Sequence, residues 1–387
     1  MKQGWESKKL GEVAKIGAGN SAPQDKSLFT NGVYPFFRTS DIGKIRIGGV
    51  STAVDLLNDQ GIKKLKLYPK GTILLPKSGA STFLNHRVIL DVNGFVSSHL
   101  ATVVCDEDLL DKRFALYYLI GIKAQDLIQD HSYPSLKLSD IKEIPIPIPS
   151  LEEQKQIVAK LDQCFEAIDK AKANAAKNLE NAKELFQSKL NEIFSQKGEG
   201  WVEKKLGAAC LITMGQSPKG TSYNQEGEGV PLINGPVEFG KDSFDKTIKS
   251  KFTTEPTKMC RQGDLILCVR GSTTGKINIA GFDACIGRGV ASIRFDQNQR
   301  WLDYFIRSKR NEIYSLGTGS TFPNVSRTIL SKLPFLIPPV EQQNRLVETM
   351  NKLLSSTNLL QVKYQQELNS LEELKKSILQ KAFEGEL

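Results

Sequence analysis

Ile144-Pro145-Ile146-Pro147-Ile148-Pro149-Ser150-Leu151-Glu152-Glu153-Gln154 decides the organisation of this 387-residue chain, because it occurs twice. Leu333-Pro334-Phe335-Leu336-Ile337-Pro338-Pro339-Val340-Glu341-Gln342-Gln343 repeats it at an offset of 189. In the first copy the prolines are a helix stop, Ser150 is placed as an N-cap, and Glu153 three residues on completes a capping box. No Pro or Gly then follows until Gly198, and in the second copy none until Gly385. Apolar residues recur at alternating spacings of three and four, at ten of thirteen positions from Leu151 to Ile193 and nine of thirteen from Val340 to Ala382. That is a heptad seam. It predicts two helices of roughly 45 residues, each about 65–70 Å long at 1.5 Å per residue.

A lone helix of that length would leave its stripe wet, so the two are expected to pack on each other. The interhelix seam is read as Val158, Leu161, Phe165, Ile168, Leu179 and Phe186 against Val347, Met350, Leu354, Leu368, Leu371 and Ile378. Ala171, Ala173, Ala175 and Ala176 permit close approach midway. A further apolar row holds Ile157, Cys164, Ala171, Leu185, Leu346, Leu353, Leu360 and Leu374, more than a two-stranded coil needs. Two readings account for it: docking against the chain's own lobes, or a partner-subunit surface formed by Ile157, Leu185, Leu346, Leu353, Leu360 and Leu374.

Outward from the helices, the repeat continues. Gly4-Trp5-Glu6-Ser7-Lys8-Lys9-Leu10-Gly11 returns as Gly200-Trp201-Val202-Glu203-Lys204-Lys205-Leu206-Gly207 at an offset of 196, and Gly71-Thr72-Ile73-Leu74-Leu75 as Gly263-Asp264-Leu265-Ile266-Leu267 at 192. The falling offset means loop deletions in the second lobe. Short apolar runs at 72–75, 100–104, 265–269 and 290–294 read as strands, and 113–120 and 301–306 as helices. The expected fold class is α/β: two repeated mixed α/β lobes (1–150 and 198–338) separated by two long helices (151–197 and 339–387) packed as an antiparallel coiled coil, a pseudo-twofold internal repeat.

The net charge of +9 is unevenly spread: residues 1–150 carry +4 and 197–338 carry +7, whereas 151–196 and 339–387 carry −1 each. Basic lobes suit a polyanion. No apolar run is long enough to span a bilayer, and the start has no apolar signal region, so a cytoplasmic location is expected. The six cysteines are widely spaced and only three histidines are present, so no metal site is expected and the thiols read as buried.

Leu265-Ile266-Leu267-Cys268-Val269-Arg270-Gly271-Ser272-Thr273-Thr274-Gly275-Lys276-Ile277 approaches a P-loop, but three residues rather than four separate the glycines and Ile277 follows the lysine. The first lobe, with Pro76-Lys77-Ser78-Gly79-Ala80-Ser81-Thr82, has no Gly-Lys. A nucleotide site is not expected on this reading, yet Gly, Ser, Thr, Lys and Arg in one loop suit DNA: hydroxyls and backbone N–H groups hold phosphates, and Arg and Lys reach guanine edges. No catalytic constellation is found. His99 aligns with Arg288 at the offset of 189, so that position favours a cation or donor over a base.

The repeated Trp-x-x-x-Lys-Leu-Gly openings, the 144–158 segment and the ending Ile378-Leu379-Gln380-Lys381-Ala382-Phe383-Glu384-Gly385-Glu386-Leu387 resemble the specificity subunit of type I restriction–modification enzymes. The resemblance covers the whole chain and is strongest at the Pro-rich segments and helix starts. It implies two target recognition domains, each reading one half of a gapped, asymmetric site in double-stranded DNA. It also implies spacer helices that set the gap and dock modification (methyltransferase) subunits, with restriction (motor–nuclease) subunits joining to cut. No cofactor is expected on this chain; S-adenosylmethionine, ATP and Mg are expected on the partners.

The DNA-contact candidates are Arg38, Thr39, Lys77, Ser78, Ser81, His99 and Tyr133 in the first lobe. In the second they are Asn234, Arg270, Ser272, Thr273, Lys276, Arg288, Asn324 and Arg327. Arg38 could equally be a structural partner of Asp41, and Tyr133 and Phe322 could be core plugs. Two other readings remain: a DNA methyltransferase or nuclease with an unrecognised site in one lobe, and a protein-joining scaffold that never touches DNA.

Overall fold

The computed structural model describes residues 4–128, 132, 134–318 and 323–387, which form two units: residues 1–175 with 366–387, and residues 176–365. Unit 1 begins with β1 (Glu6–Lys9), α1 (Leu10–Val13), β2 (Ala14–Ala18), β3 (Tyr34–Phe37), α2 (Thr39–Ile45), β4 (Ile47–Val50) and β5 (Asp55–Leu57). It continues with β6 (Ile73–Pro76), β7 (Arg87–Leu90), β8 (Phe95–Val96), β9 (Leu100–Cys105), α3 (Lys112–Gly121), α4 (Leu138–Lys142) and β10 (Pro145–Ile148), then enters α5 (Leu151–Ser195). Unit 2 takes over within α5 and runs through β11 (Val202–Lys205), α6 (Leu206–Ala209), β12 (Leu211–Met214), β13 (Tyr223–Asn224), β14 (Val230–Ile233) and β15 (Phe252–Thr253). There follow β16 (Met259–Cys260), β17 (Leu265–Cys268), β18 (Ile277–Ile279), β19 (Ala284–Ile286), β20 (Val290–Arg294), α7 (Gln299–Ser308), α8 (Arg310–Ser315), α9 (Arg327–Lys332), β21 (Pro334–Ile337) and α10 (Val340–Glu384), whose end returns to unit 1.

Strands β6 and β17 are apolar throughout, and β9 and β20 are so apart from Thr102, Ser292 and Arg294, because both faces of the central strands are covered. Ile73 and Leu75 of β6, with Ala101 and Val103 of β9, feed one core, and Leu74 and Leu100 feed another. Unit 2 repeats the division, with Leu265, Leu267, Ala291 and Ile293 in one core and Ile266, Cys268 and Val290 in the other. The sheet orders are β2-β9-β6-β7-β4 and β12-β20-β17-β18, with β6·β9 and β17·β20 antiparallel. A parallel pair, β3·β8 or β14·β19, forms beside each.

The Pro-rich segment is a strand and not merely a helix stop. β10 pairs antiparallel with β1, and β21 with β11. Alternating prolines leave Ile146 and Ile148 as donors and put N–H-free residues between them, which an edge strand tolerates. The opening tryptophans lock the adjoining helix starts. Trp5 Nε1 donates to Glu153 Oε2 at 3.2 Å, and Trp201 Nε1 to Gln342 Oε1 at 3.0 Å. Ser150 Oγ accepts the Glu153 N–H at 3.3 Å, as an N-cap should.

In unit 1, α5 and the end of α10 meet in antiparallel sense: Lys375 bonds Asp169 at 3.0 Å, Lys172 pairs with Glu372, and Lys375 lies over the Phe165 ring at 4.7 Å. In unit 2, α7 has Trp301 against Phe194 and Arg307 over Phe186, whereas Asn298 bonds Asn344 and Tyr304 bonds Asn351. The end of α5 and the start of α10 therefore run antiparallel there also. The seam is shared with a third helix in each unit: Phe165 packs on Tyr117 of α3, and Phe186 on Tyr304 of α7. Val158, Leu161, Phe165, Ile168, Phe186 and Met350 are core; Val347, Leu354, Leu371 and Ile378 pack against it; Leu179 and Leu368 are half-buried.

That third helix also explains the surplus apolar row. Ile157 is buried in the unit 1 core, and Leu346 and Leu353 pack against the unit 2 core, which corrects their assignment to a partner surface. Leu185, Leu360 and Leu374 are exposed.

Candidate nucleic-acid interface

In each unit four loops gather at one end of the central strands, held by the same backbone hydrogen bonds. In unit 1, Lys77 N–H donates to His99 O at 3.0 Å, Gly79 N–H to Pro134 O at 2.9 Å, Leu136 N–H to Lys77 O at 2.8 Å and Ser97 N–H to Phe37 O at 2.9 Å. In unit 2 the corresponding bonds are Val269 to Gly289 at 2.9 Å, Gly271 to Pro323 at 3.1 Å, Val325 to Val269 at 2.8 Å and Gly287 to Ile233 at 2.9 Å. Gly79 (φ +76°) and Gly271 (φ +84°) make the same left-handed turn, which a side chain would strain.

These bonds fix which residues correspond: Ser78 with Arg270, Ser81 with Thr273, Ser135 with Asn324 and Arg38 with Asn234. They also correct the alignment of His99 with Arg288, because β6·β9 pairs Pro76 with Leu100 and β17·β20 pairs Cys268 with Val290. His99 corresponds to Gly289, and Arg288 to Ser98. The offset in this turn is 190, not the 189 that holds from residue 133 onward.

The exposed, cation-bearing surface is clearest in unit 2. Arg270, Ser272, Lys276, Arg288, Asn324 and Arg327 are exposed, and Asn234 and Thr273 are half-buried. Arg270 Nε donates to Asn324 Oδ1 at 3.4 Å, a long contact that orients the guanidinium. The Arg288 backbone N–H is held by Ser217 Oγ at 3.3 Å. None of Arg270, Lys276, Arg288 and Arg327 is in an ion pair among the described residues. Arg327 opens α9, which Ser326 caps. The near-P-loop is a hairpin: β18 follows Lys276, where a phosphate loop needs a helix.

Unit 1 differs at the same places. His99 is exposed, and Lys77, Ser78 and Thr39 are half-buried. Ser81 is committed locally, its Oγ donating to Ser78 O at 3.2 Å. Arg38 does not present a free cation: its Nε pairs with Asp55, its guanidinium lies over Phe36 at 5.1 Å, and its backbone N–H donates to Asp41 at 2.8 Å. Tyr133 and Phe322 lie outside the described residues.

Sequence reasoning missed His86. β6·β7 pairs Leu74 with Val88, and β17·β18 pairs Ile266 with Asn278. His86 therefore stands where unit 2 has Lys276, and Asn85 (φ +53°) stands where unit 2 has Gly275 (φ +85°). Reading the register from the strands would have found it. Burial, with Arg46 and Arg87 nearby, pushes the His86 imidazole below its usual value.

Other chemistry is sparse. Burial pushes the Cys105, Cys210 and Cys260 thiols up to about 12 and Cys268 to about 11, which leaves them protonated and unreactive at neutral pH. Among the described residues, no group of three or more His, Cys, Asp or Glu side chains could hold a metal, and no helix is long and apolar enough to cross a membrane.

Two copies of one loop frame that present different side chains from the same positions, with exposed cations in the second copy, define a tandem sequence-reading protein for DNA. The family model described as the type I restriction modification DNA specificity domain matches residues 2–178 and 198–370, and the chain belongs to that family. A Methanocaldococcus jannaschii protein named as a type I restriction enzyme MjaX specificity subunit is 27% identical, over 99% of this chain and 93% of its own length. The fold is shared with a structure from work on complex assembly and conformational transition of the type I R-M system, which has a TM-score of 0.86 and 24% identity over 100% of this chain and 99% of that one. It is shared too with the HsdS subunit of Thermoanaerobacter tengcongensis, at a TM-score of 0.69 and 23% identity over 100% and 98%.

Proposed function

We propose that this chain is the DNA-reading subunit of a type I restriction–modification complex, with each lobe reading one half of a gapped, asymmetric site. The observation that carries this reading is the shared hydrogen-bond frame with different projecting residues: Ser78, Ser98 and Ser135 in one lobe, Arg270, Arg288 and Asn324 in the other. Identical frames place a reader in the same way, and different side chains make the two readings differ. The continuous helices α5 and α10 set the gap. Exposed Leu185, Leu360 and Leu374 are offered to modification subunits, and restriction subunits join that assembly.

On this reading the chain is not itself an enzyme. S-adenosylmethionine, ATP and Mg belong to the partners, and the complex works in the cytoplasm. The test is an assay of the purified chain. DNA binding should weaken steeply with salt, and no methylated or cleaved product should form with S-adenosylmethionine, Mg and DNA. Turnover by the lone chain would overturn the non-catalytic assignment.

A further inference from the structure

Asn234 follows β14 directly, in one of the four loops of the second lobe, and its backbone is fixed on two sides. Its N–H and that of Gly235 donate to Glu238 Oε2, each at 3.1 Å, and Glu238 is buried. The Gly287 N–H donates to Ile233 O at 2.9 Å, which seats Asn234 against the turn Gly287-Arg288-Gly289. The approach is close enough to need both glycines. A Cβ at Gly287 would stand 2.0 Å from Asn234 Oδ1 and 2.9 Å from its Cγ, and one at Gly289 would stand 2.4 Å from Asn234 O.

The carboxamide itself is unspent. An asparagine in a turn ordinarily bonds the backbone beside it. Here Glu238 takes that task, and neither Oδ1 nor Nδ2 of Asn234 has a hydrogen-bond partner among the described residues. The side chain is half-buried, beside the exposed Arg288. The first lobe shows the alternative: Ser97 and His99 hold the places of Gly287 and Gly289, and Arg38, in the place of Asn234, turns to Asp55 and the face of Phe36.

We infer that Asn234 is a specificity-determining residue of the second lobe, its carboxamide reading an adenine in the major groove, with Gly287 as the residue that positions it. This rests on the DNA-reading assignment and deepens it by naming one base. A carboxamide offers a donor and an acceptor side by side, and adenine answers both with N7 and the N6 amino group. Guanine offers two acceptors there and cytosine a donor alone, so each leaves one end of the amide unpaired.

The test uses the full-length chain in its assembled complex to select bound duplexes from a randomised pool. The wild type should require adenine at one position of one half-sequence. Asn234→Ala should relax that position alone, lowering the preference for adenine roughly 5- to 150-fold, with the other half-sequence kept. Asn234→Asp, which accepts and cannot donate, should favour cytosine there. Neither substitution removes a side-chain hydrogen bond of the fold. Gly287→Ala, whose methyl group displaces the amide, should relax the same position, and wild-type preference in that variant would overturn the positioning role. An unchanged preference in Asn234→Ala, adenine retained by Asn234→Asp, relaxation at a G·C pair, or equal weakening on every duplex would overturn the adenine contact and leave the DNA-reading assignment standing. A wild-type complex that selects no sequence would sink both.

Discussion

Arg270 and Ser78 occupy one position in two copies of a loop, and that single difference shows how the lobes diverge. The glycine that follows keeps the turn, the backbone bond to Pro323 or Pro134 keeps its place, and only the projecting side chain changes. On the proposed reading, Arg270→Ala in the assembled complex costs about 1–3 kcal/mol of discrimination at one base pair. Mapping of methylated sites should then show one half-sequence relaxed and the other kept. Asp303 gives a residue-scale prediction about stability. It is buried on α7, and burial pushes its carboxyl from 3.8 up to about 7 despite Gln299 and Arg300. A folded value above the unfolded one means the folded state holds the proton more tightly. Stability from this group is therefore full below about pH 4, is lost as pH rises to about 7, and stays flat above. Three units correspond to at most about 4 kcal/mol. Asp303→Asn should raise the melting temperature clearly at pH 8 and hardly at pH 4; an equal effect at both would refute the assignment.

Gln154 and Gln343, at the starts of α5 and α10, show why an element's polar residues can matter more than its seam. Both are fully buried. Gln154 donates to Pro149 O and Leu109 O, each at 2.9 Å, and accepts the Asp111 N–H at 2.7 Å, tying α5 to the N-cap of α3. Gln343 donates to Pro338 O at 2.8 Å, and its Oε1 has no partner among the described residues. Gln154→Ala should therefore cost about 2–4 kcal/mol by leaving several buried groups unpaired, and Gln343→Ala nearer 1 kcal/mol. Denaturant unfolding of the two variants measures the difference, and equal losses would contradict it. The long helices were legible because a heptad pattern without Pro or Gly leaves little alternative. Their third partner was not, because nothing in α3 or α7 says which face of a distant helix it meets. The surplus row accordingly admitted two readings, and Ile157, Leu346 and Leu353 follow the one in which it docks on the chain's own lobes.

At the scale of the molecule, the repeat made two lobes and two helices readable from one quoted stretch. The central strands were readable too, because β6, β9, β17 and β20 are short, mostly apolar runs. Sheet order was not: β3 pairs in parallel with β8, far along the chain, and only loop lengths connect them. The same loops hid part of the site. An offset valid downstream of residue 133 fails by one residue at the turn before β9, which set His99 against Arg288 and left His86 unnoticed. The proposed function has as its central claim that α5 and α10 set the gap between the half-sites of two unlike readers. Four residues inserted in α5 at Ala173–Ala176 add about 6 Å of helix, or one to two base-pair steps at about 3.4 Å each. Methylated sites mapped with the inserted chain should show both half-sequences retained and the gap widened by that amount; both half-sequences at the original gap would contradict the account.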